Sequence, residues 1–179
     1  MEIEAKILNI DPEKIINNLI NIGAVKIFDG VIYTLFYDTP EGKLSKRKEL
    51  LRLRRMGKEA ILTYKRYVSN NSVKTREEYE TKVGNLEKMD LILRSLGYQV
   101  TEKMSKKRVS YKTDSARVDI DVHLENYSFI PPLLEIEAKD EEAINKLARE
   151  LGFLSTDLST WDFFEVARHY LAKTPKSTQ

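Results

Sequence analysis

The pentapeptide Glu-Ile-Glu-Ala-Lys occurs twice, at 2–6 and 135–139, and a relative, Glu-Tyr-Glu-Thr-Lys, lies between them at 78–82. On an extended strand, residues i, i+2 and i+4 point to the same side. Glu2, Glu4 and Lys6 then share a face opposite Ile3, Ala5 and Ile7, and Glu135, Glu137 and Lys139 share one opposite Leu134, Ile136 and Ala138. The same habit recurs elsewhere. Arg52 and Arg54 alternate with Leu51 and Leu53; Arg76, Glu78, Glu80 and Lys82 form one row; Lys106 and Arg108 form another; Arg117, Asp119 and Asp121 oppose Val118, Ile120 and Val122. Lys107 has the opposite parity to Lys106, and a bulge could exchange the two.

A single row of this kind reads as the solvent face of a half-buried sheet. The set departs from that pattern, because Glu2/Glu4, Glu135/Glu137 and Asp119/Asp121 are acidic pairs while Arg52/Arg54 and Lys106/Arg108 are basic pairs. Like charges on one face repel unless opposite charge lies between them. Carboxylates are the oxygen ligands that Mg2+ and Mn2+ prefer. Guanidinium forks match phosphate oxygens. Acid pairs and base pairs gathered in one cavity suggest a metal–polyphosphate complex, in which neither component is satisfied alone.

The elements that must position these residues follow from periodicity. Asp11-Pro12 opens a helix whose apolar face is Ile15, Ile16, Leu19, Ile20 and Ile22, ending at Gly23. Asn85 opens a second, ending at Gly97; Asp140 opens a third, ending at Gly152; a fourth runs from about Thr160 to Ala172. Period-two segments span 1–9, 31–38, 48–56, 59–67, 74–83, 105–112, 116–124 and 132–139, with turn residues between several of them. The prediction is an α+β fold: a closed or nearly closed antiparallel barrel of eight strands, with amphipathic helices packed outside and the charged faces turned inward. One domain over 1–172 is expected, with 173–179 as a frayed tail. Each Glu-x-Glu-x-Lys strand leads into a helix and a glycine, so a strand–helix unit is used three times, by duplication or by convergent capping preferences.

Bulk properties narrow the function classes. The net charge is +2 although 32% of residues are charged, so no nucleic-acid or membrane partner is advertised. There is no cysteine and only two histidines, His123 and His169, which excludes disulfides, thiolate chemistry and a histidine-rich metal site. No signal segment or apolar run of membrane-spanning length is visible, and the expected location is the cytoplasm.

The ordered set — Glu-x-Glu-x-Lys, "LRLR", "TYK", "REEYE", Lys-x-Arg, an aspartate strand and a late "EIE" — resembles the CYTH family of triphosphate tunnel metalloenzymes. The resemblance runs from Met1 to about Leu171 and looks closest to the class IV adenylyl cyclase-like branch. It implies Mg2+ or Mn2+ held by Glu2, Glu4, Glu135 and Glu137, with Asp121 in the same shell and Asp119 of matching parity. It implies triphosphate contacts from Lys6, Arg52, Arg54, Lys65, Lys106 and Arg108, with Arg76 and Arg117 in register with them. Glu78 or Glu80, together with Lys6, would serve the reaction by orienting water or a basic neighbour. The implied substrate is ATP, thiamine triphosphate or inorganic triphosphate, and the resemblance admits a homodimer. This chain departs from the family at Thr34, where many members carry an acid, and at Pro131-Pro132, which replaces a glycine-containing turn.

Phosphoryl chemistry asks mainly for positioning and charge neutralisation. Hydrolysis of the terminal phosphate is favoured over its alternative, in which a ribose 3′-hydroxyl attacks the α-phosphate and cyclic AMP and pyrophosphate form. A binding module without turnover is the reading from another class; the four Glu-x-Glu carboxylates argue against it, since a polyanion alone calls for bases. His123 continues the Asp121 face and reads as a rim or hydrogen-bonded histidine, and Trp161 and His169 as packing residues of the last helix.

Overall fold

The helices begin where side chains cap them. In the computed structural model, which describes residues 3–69 and 75–173 (side chains of 67–69, 75 and 76 excepted), the Asp11 carboxylate accepts from the backbone N–H of Glu13 and Lys14 and opens α1, Pro12–Asn21. Asn85 caps α3, Leu86–Ser95, and Asp140 caps α4, Glu141–Glu150, in the same way. Gly23 and Gly152 follow the C-caps with φ of 79° and 91°, a left-handed turn that glycine adopts without a Cβ clash. The remaining helices are a short α2, Lys43–Lys46, and α5, Phe163–Lys173.

The strands among the described residues are β1 (Ile3–Leu8), β2 (Val25–Asp38), β3 (Leu50–Met56), β4 (Glu59–Ser69), β5 (Thr75–Val83), β6 (Gln99–Lys112), β7 (Ala116–His123), β8 (Leu133–Ala138) and β9 (Leu158–Ser159). Their hydrogen-bonded order is β5-β4-β3-β2-β6-β7-β8-β1-β9. The fold is α+β and antiparallel as expected, with nine strands instead of eight. The extra strand, β9, is only two residues long, too short for alternation to register. The sequence also places the starts of β2 and β6 six residues late. The early half of β2 is mostly exposed, so its residues do not alternate between buried and exposed positions.

The segment 43–48 contains α2. The buried Asp38 organises it: its carboxylate accepts from the N–H of Thr39, Leu44 and Ser45, and Leu44 is buried. Burial alone would raise the Asp38 carboxyl; those three donors outweigh it and hold it below the usual range.

The chain forms two compact units, Met1–Gly30 with Lys106–Gln179, and Val31–Ser105. In the first, α1 and α4 cover the apolar face of β1, β6, β7 and β8. Ile15, Leu19, Ile144, Leu147 and Leu151 pack there on Ile7, Val118, Ile120, Leu134 and Ile136. A smaller cluster places Val166 and Ala167 of α5 with Leu8, Leu133, Tyr127, Trp161 and Phe163. In the second unit α3 supplies Leu86 and Leu93 to a core with Leu35, Tyr37, Leu51 and Leu53. α1, α3 and α4 thus take one face of each sheet region and leave the other to the charged rows, and α5 covers one end of the charged face of the first unit.

Candidate active site

In the first unit the register gathers the predicted residues onto one face of four adjacent strands. β1 pairs directly with β8, so that Glu4 lies opposite Glu137 and Lys6 opposite Glu135. The two Glu-Ile-Glu-Ala-Lys copies are thus neighbours in the sheet. β8 pairs in turn with β7, placing Asp119 beside Glu135 and Arg117 beside Glu137, and β7 pairs with β6, placing Asp121 beside Arg108.

This face is not a solvent face. Lys6, Arg108, Asp119 and Asp121 are all buried, Asp121 completely. Arg108 donates from Nε to Asp121 Oδ1 at 2.6 Å, and its terminal nitrogens reach Asp119, Asp121 and Glu135. Lys106 also binds Asp121; Arg117 Nε binds Asp119 Oδ1 at 3.0 Å; Lys6 Nζ lies 2.9 Å from Glu4 and 3.3 Å from Glu135. Lys106, whose partner is Asp121, belongs to this face, while Lys107 is exposed.

The charge states follow from these contacts. Burial would raise the Glu135 carboxyl, but Lys6, Lys106 and Arg108 outweigh it and hold it well below the carboxylate range. Burial would also raise Asp121, and Arg108 and Lys106 depress it. The Lys6 ammonium, which burial would lower, is lifted above its ordinary value by Glu135 and Glu4. Lys106 is held below its ordinary value by burial and then by the Arg108 charge. His123, at the end of β7 and opposite Lys106, is pushed down to about 4 by burial and then by the Lys106 charge, so its imidazole is neutral near pH 7. It stacks on Phe163, and its Nδ1 is buried without a hydrogen-bond partner. It is a buried ring-packed histidine, not a rim residue. Ser110, two residues beyond Arg108 and opposite Asp119, has a buried hydroxyl in the same condition. Its parity with Arg108 was the available signal for it.

The second unit carries its own row on β3, β4 and β5. Arg52 lies 3.6 Å from Glu78, and Lys65 lies 2.6 Å from the same carboxylate. Arg54 lies 3.0 Å from Glu80, which also accepts from the Thr63 hydroxyl at 3.1 Å. Thr63 was missed, although it stands two residues before Lys65 on the same face. Thr34, opposite Arg54, is buried with its hydroxyl unpartnered. Glu2 and the Arg76 side chain lie outside the described residues.

Comparisons with known proteins bear on the family and on the fold. The family model described as the CYTH domain matches residues 1–170. The chain belongs to the CYTH domain family. A protein of Methanocaldococcus jannaschii named "Putative adenylate cyclase" is 28% identical over 121 residues, 68% of this chain and 69% of that one. A conserved hypothetical protein of Pyrococcus furiosus shares the fold with a TM-score of 0.76 at 22% identity, over 93% of this chain and 99% of its own. A Hippeastrum protein described as a "putative adenylyl cyclase" with a dominant triphosphatase activity has a TM-score of 0.68 at 20% identity, over 94% of this chain and 96% of that one. CYTH proteins are triphosphatases or adenylyl cyclase-like, bind triphosphates such as ATP, and are metal-dependent in general.

The CYTH face in the first unit fits a hard divalent cation by donor chemistry. Glu4 and Glu137 oppose one another across β1 and β8; the Lys6 ammonium at 2.9 Å offsets Glu4 in part, and a divalent cation would add positive charge where two carboxylates stand opposite. Among the described residues no group of three acids or histidines is already gathered as a ligand set. The physical reason lies in the contacts above: Asp119, Asp121 and Glu135 are each engaged by basic side chains of the same face. Among the described residues no helix is long and apolar enough to cross a membrane.

Proposed function

We propose that this CYTH protein is a metal-dependent enzyme that hydrolyses a triphosphate. The observation that carries the reading is the buried face of β6, β7, β8 and β1, where five acids and four bases alternate across four strands. A structural ion-pair network needs no like-charged carboxylates placed opposite each other, whereas a cation–polyphosphate site does.

In this reading Glu4, Glu135 and Glu137 hold Mg2+ or Mn2+. When bound, the cation neutralises phosphate charge and acts as a Lewis acid. Lys6, Lys106 and Arg117 offer N–H donors to phosphate oxygens. Within the second unit, Glu78 and Glu80 orient Arg52, Arg54 and Lys65, bases to which the family resemblance gives a phosphate role. Water attacks the terminal phosphorus; the bond from that phosphorus to the bridging oxygen breaks, the diphosphate part leaves with the electron pair, and the proton of the attacking water passes to a phosphate oxygen or to solvent. Fixed ammonium and guanidinium groups stabilise the charge that develops on the leaving oxygen.

The cyclase outcome needs the same charges and a ribose 3′-hydroxyl in line, and the name of the M. jannaschii relative supports testing it. One assay panel separates the readings: ATP, GTP, thiamine triphosphate and inorganic triphosphate, each with Mg2+ and with Mn2+, followed by product analysis. Orthophosphate release that depends on the metal is the expected result. Cyclic nucleotide with pyrophosphate would replace hydrolysis by cyclisation. Tight triphosphate binding with no turnover on any substrate would overturn the enzyme reading.

A further inference from the structure

The two charged faces treat their buried hydroxyls differently. On the second face Thr63, fully buried and opposite Glu80 in the β4–β5 register, donates to that carboxylate at 3.1 Å. On the first face Ser110 is equally buried and stands opposite Asp119 in the β6–β7 register, yet its Oγ makes no hydrogen bond. Asp119 is already taken: one carboxylate oxygen accepts from Arg117 Nε at 3.0 Å and the other from Arg108. A hydroxyl cut off from water without a partner loses its hydration and gains nothing in return, and native structures keep few such groups. An alanine at 110 would remove that cost from the free protein.

The position of the hydroxyl indicates what could satisfy it. Ser110 begins a row that crosses the sheet through Asp119 on β7, Glu135 on β8 and Lys6 on β1. The adjoining row pairs Lys112, which is exposed, with Arg117, whose side chain is 38% exposed against 6% for Asp119. Ser110 therefore lies one step inside the place where the bases of this face meet water. An anionic oxygen that engages Arg117 from that side brings an acceptor next to the Ser110 hydroxyl. A hydrogen bond from a hydroxyl to an ionised acceptor is stronger than one between neutral groups.

We propose that Ser110 is a further substrate-binding residue, whose hydroxyl donates to an oxygen of the triphosphate held by this face. The identity of the ligand rests on the function proposed above; the missing partner in the free protein does not. Removal of the hydroxyl should therefore act in opposite directions, sparing the stability of the free protein while weakening the complex.

Two measurements on the full chain test this: thermal unfolding without ligand, and calorimetric titration with inorganic imidotriphosphate and Mg2+, the nitrogen-bridged analogue serving as a probe that resists hydrolysis. Ser110→Ala should melt no lower than wild type and bind the analogue about 10-fold more weakly. Ser110→Cys fills the same space with a weak donor and should lose about as much affinity. Affinity restored by the cysteine would mean that shape and not the hydrogen bond matters, and overturns the proposal. Affinity of Ser110→Ala within about 3-fold of wild type would mean that the hydroxyl meets an ordered water only, and also overturns it. So does a melting temperature lowered by more than about 3 °C, or a Ser110→Ala chain that does not fold, since either shows a partner within the free protein. Weaker binding by Ser110→Ala with no turnover in the assay panel would remove the enzyme reading and leave the role of Ser110 standing; turnover with unchanged binding would do the reverse.

Discussion

The β6–β7–β8–β1 face of the first unit and the β3–β4–β5 face of the second are built from the same alternation of charges, yet they hold those charges differently. In the first, Arg108 and Asp121 have side-chain exposures of 7% and 1%. In the second, Arg52 and Glu78 stand at 20% and 38%, and Arg54 and Glu80 at 17% and 42%. The first is an interlocked network in which Arg108 contacts three carboxylates and each of these has a second basic partner. The second is a pair of ladders, each carboxylate shared between an arginine and a neighbour on β4. Burial of the first face has a visible source. Leu8 and Leu133, which share its parity, join the Tyr127, Trp161 and Phe163 cluster under α5, and His123 stacks on Phe163. Aromatic cover at one end removes water from the adjoining charges and raises the cost of leaving any of them unpaired.

The comparison breaks most easily at Asp121. Asp121→Ala strips Arg108 and Lys106 of a fully buried partner and should destabilise the protein by about 3–5 kcal/mol in urea unfolding. A loss under about 1 kcal/mol would mean that the first face is as solvated as the second.

The next effect is a pH dependence specific to the first face. The folded-state pKa of His123, about 4, lies below its unfolded value of 6.5. The neutral ring therefore contributes stability that is present in full above about pH 6.5 and lost as pH falls toward 4. The loss should reach on the order of 3 kcal/mol and be absent in His123→Gln. Asp121 and Glu135, depressed below the carboxylate range, contribute stability that is lost only as pH falls further, through their folded values. Chemical denaturation at pH 7, 5.5 and 4.5 separates the two. Parallel curves for wild type and His123→Gln would contradict the burial assigned to the ring.

The smallest effect belongs to the second face. Glu78→Ala should cost only about 0–1 kcal/mol, and less still in 1 M salt, because its partners are partly solvated and screened. A cost near that of Asp121→Ala would erase the difference between the faces.

Much of this was legible in the residues. Alternation assigned Glu4, Lys6, Lys106, Arg108, Arg117, Asp119, Asp121, Glu135 and Glu137 to one kind of face, and caps and glycines marked α1, α3 and α4. Register was not legible. Whether β1 and β8 pair or face each other depends on long-range pairing that no local pattern encodes. The contacts of Arg108 with three carboxylates depend on that register in turn, and parity does not encode them. Alternation also cannot say which charged face will be dry, since the cover comes from α5 and the loop before it.

The most direct test of the central claim, that carboxylates of the first face hold the cation for triphosphate chemistry, is the turnover of Glu137→Gln beside Glu80→Gln on inorganic triphosphate with Mn2+. The glutamine at 137 removes a ligand charge facing Glu4, and the rate should fall about 100-fold or more. Glu80→Gln alters the contacts of Arg54 and Thr63 and touches no proposed cation ligand, and the rate should fall about 10-fold or less. Equal losses, or a Glu137→Gln enzyme that keeps metal-dependent turnover, would contradict the account.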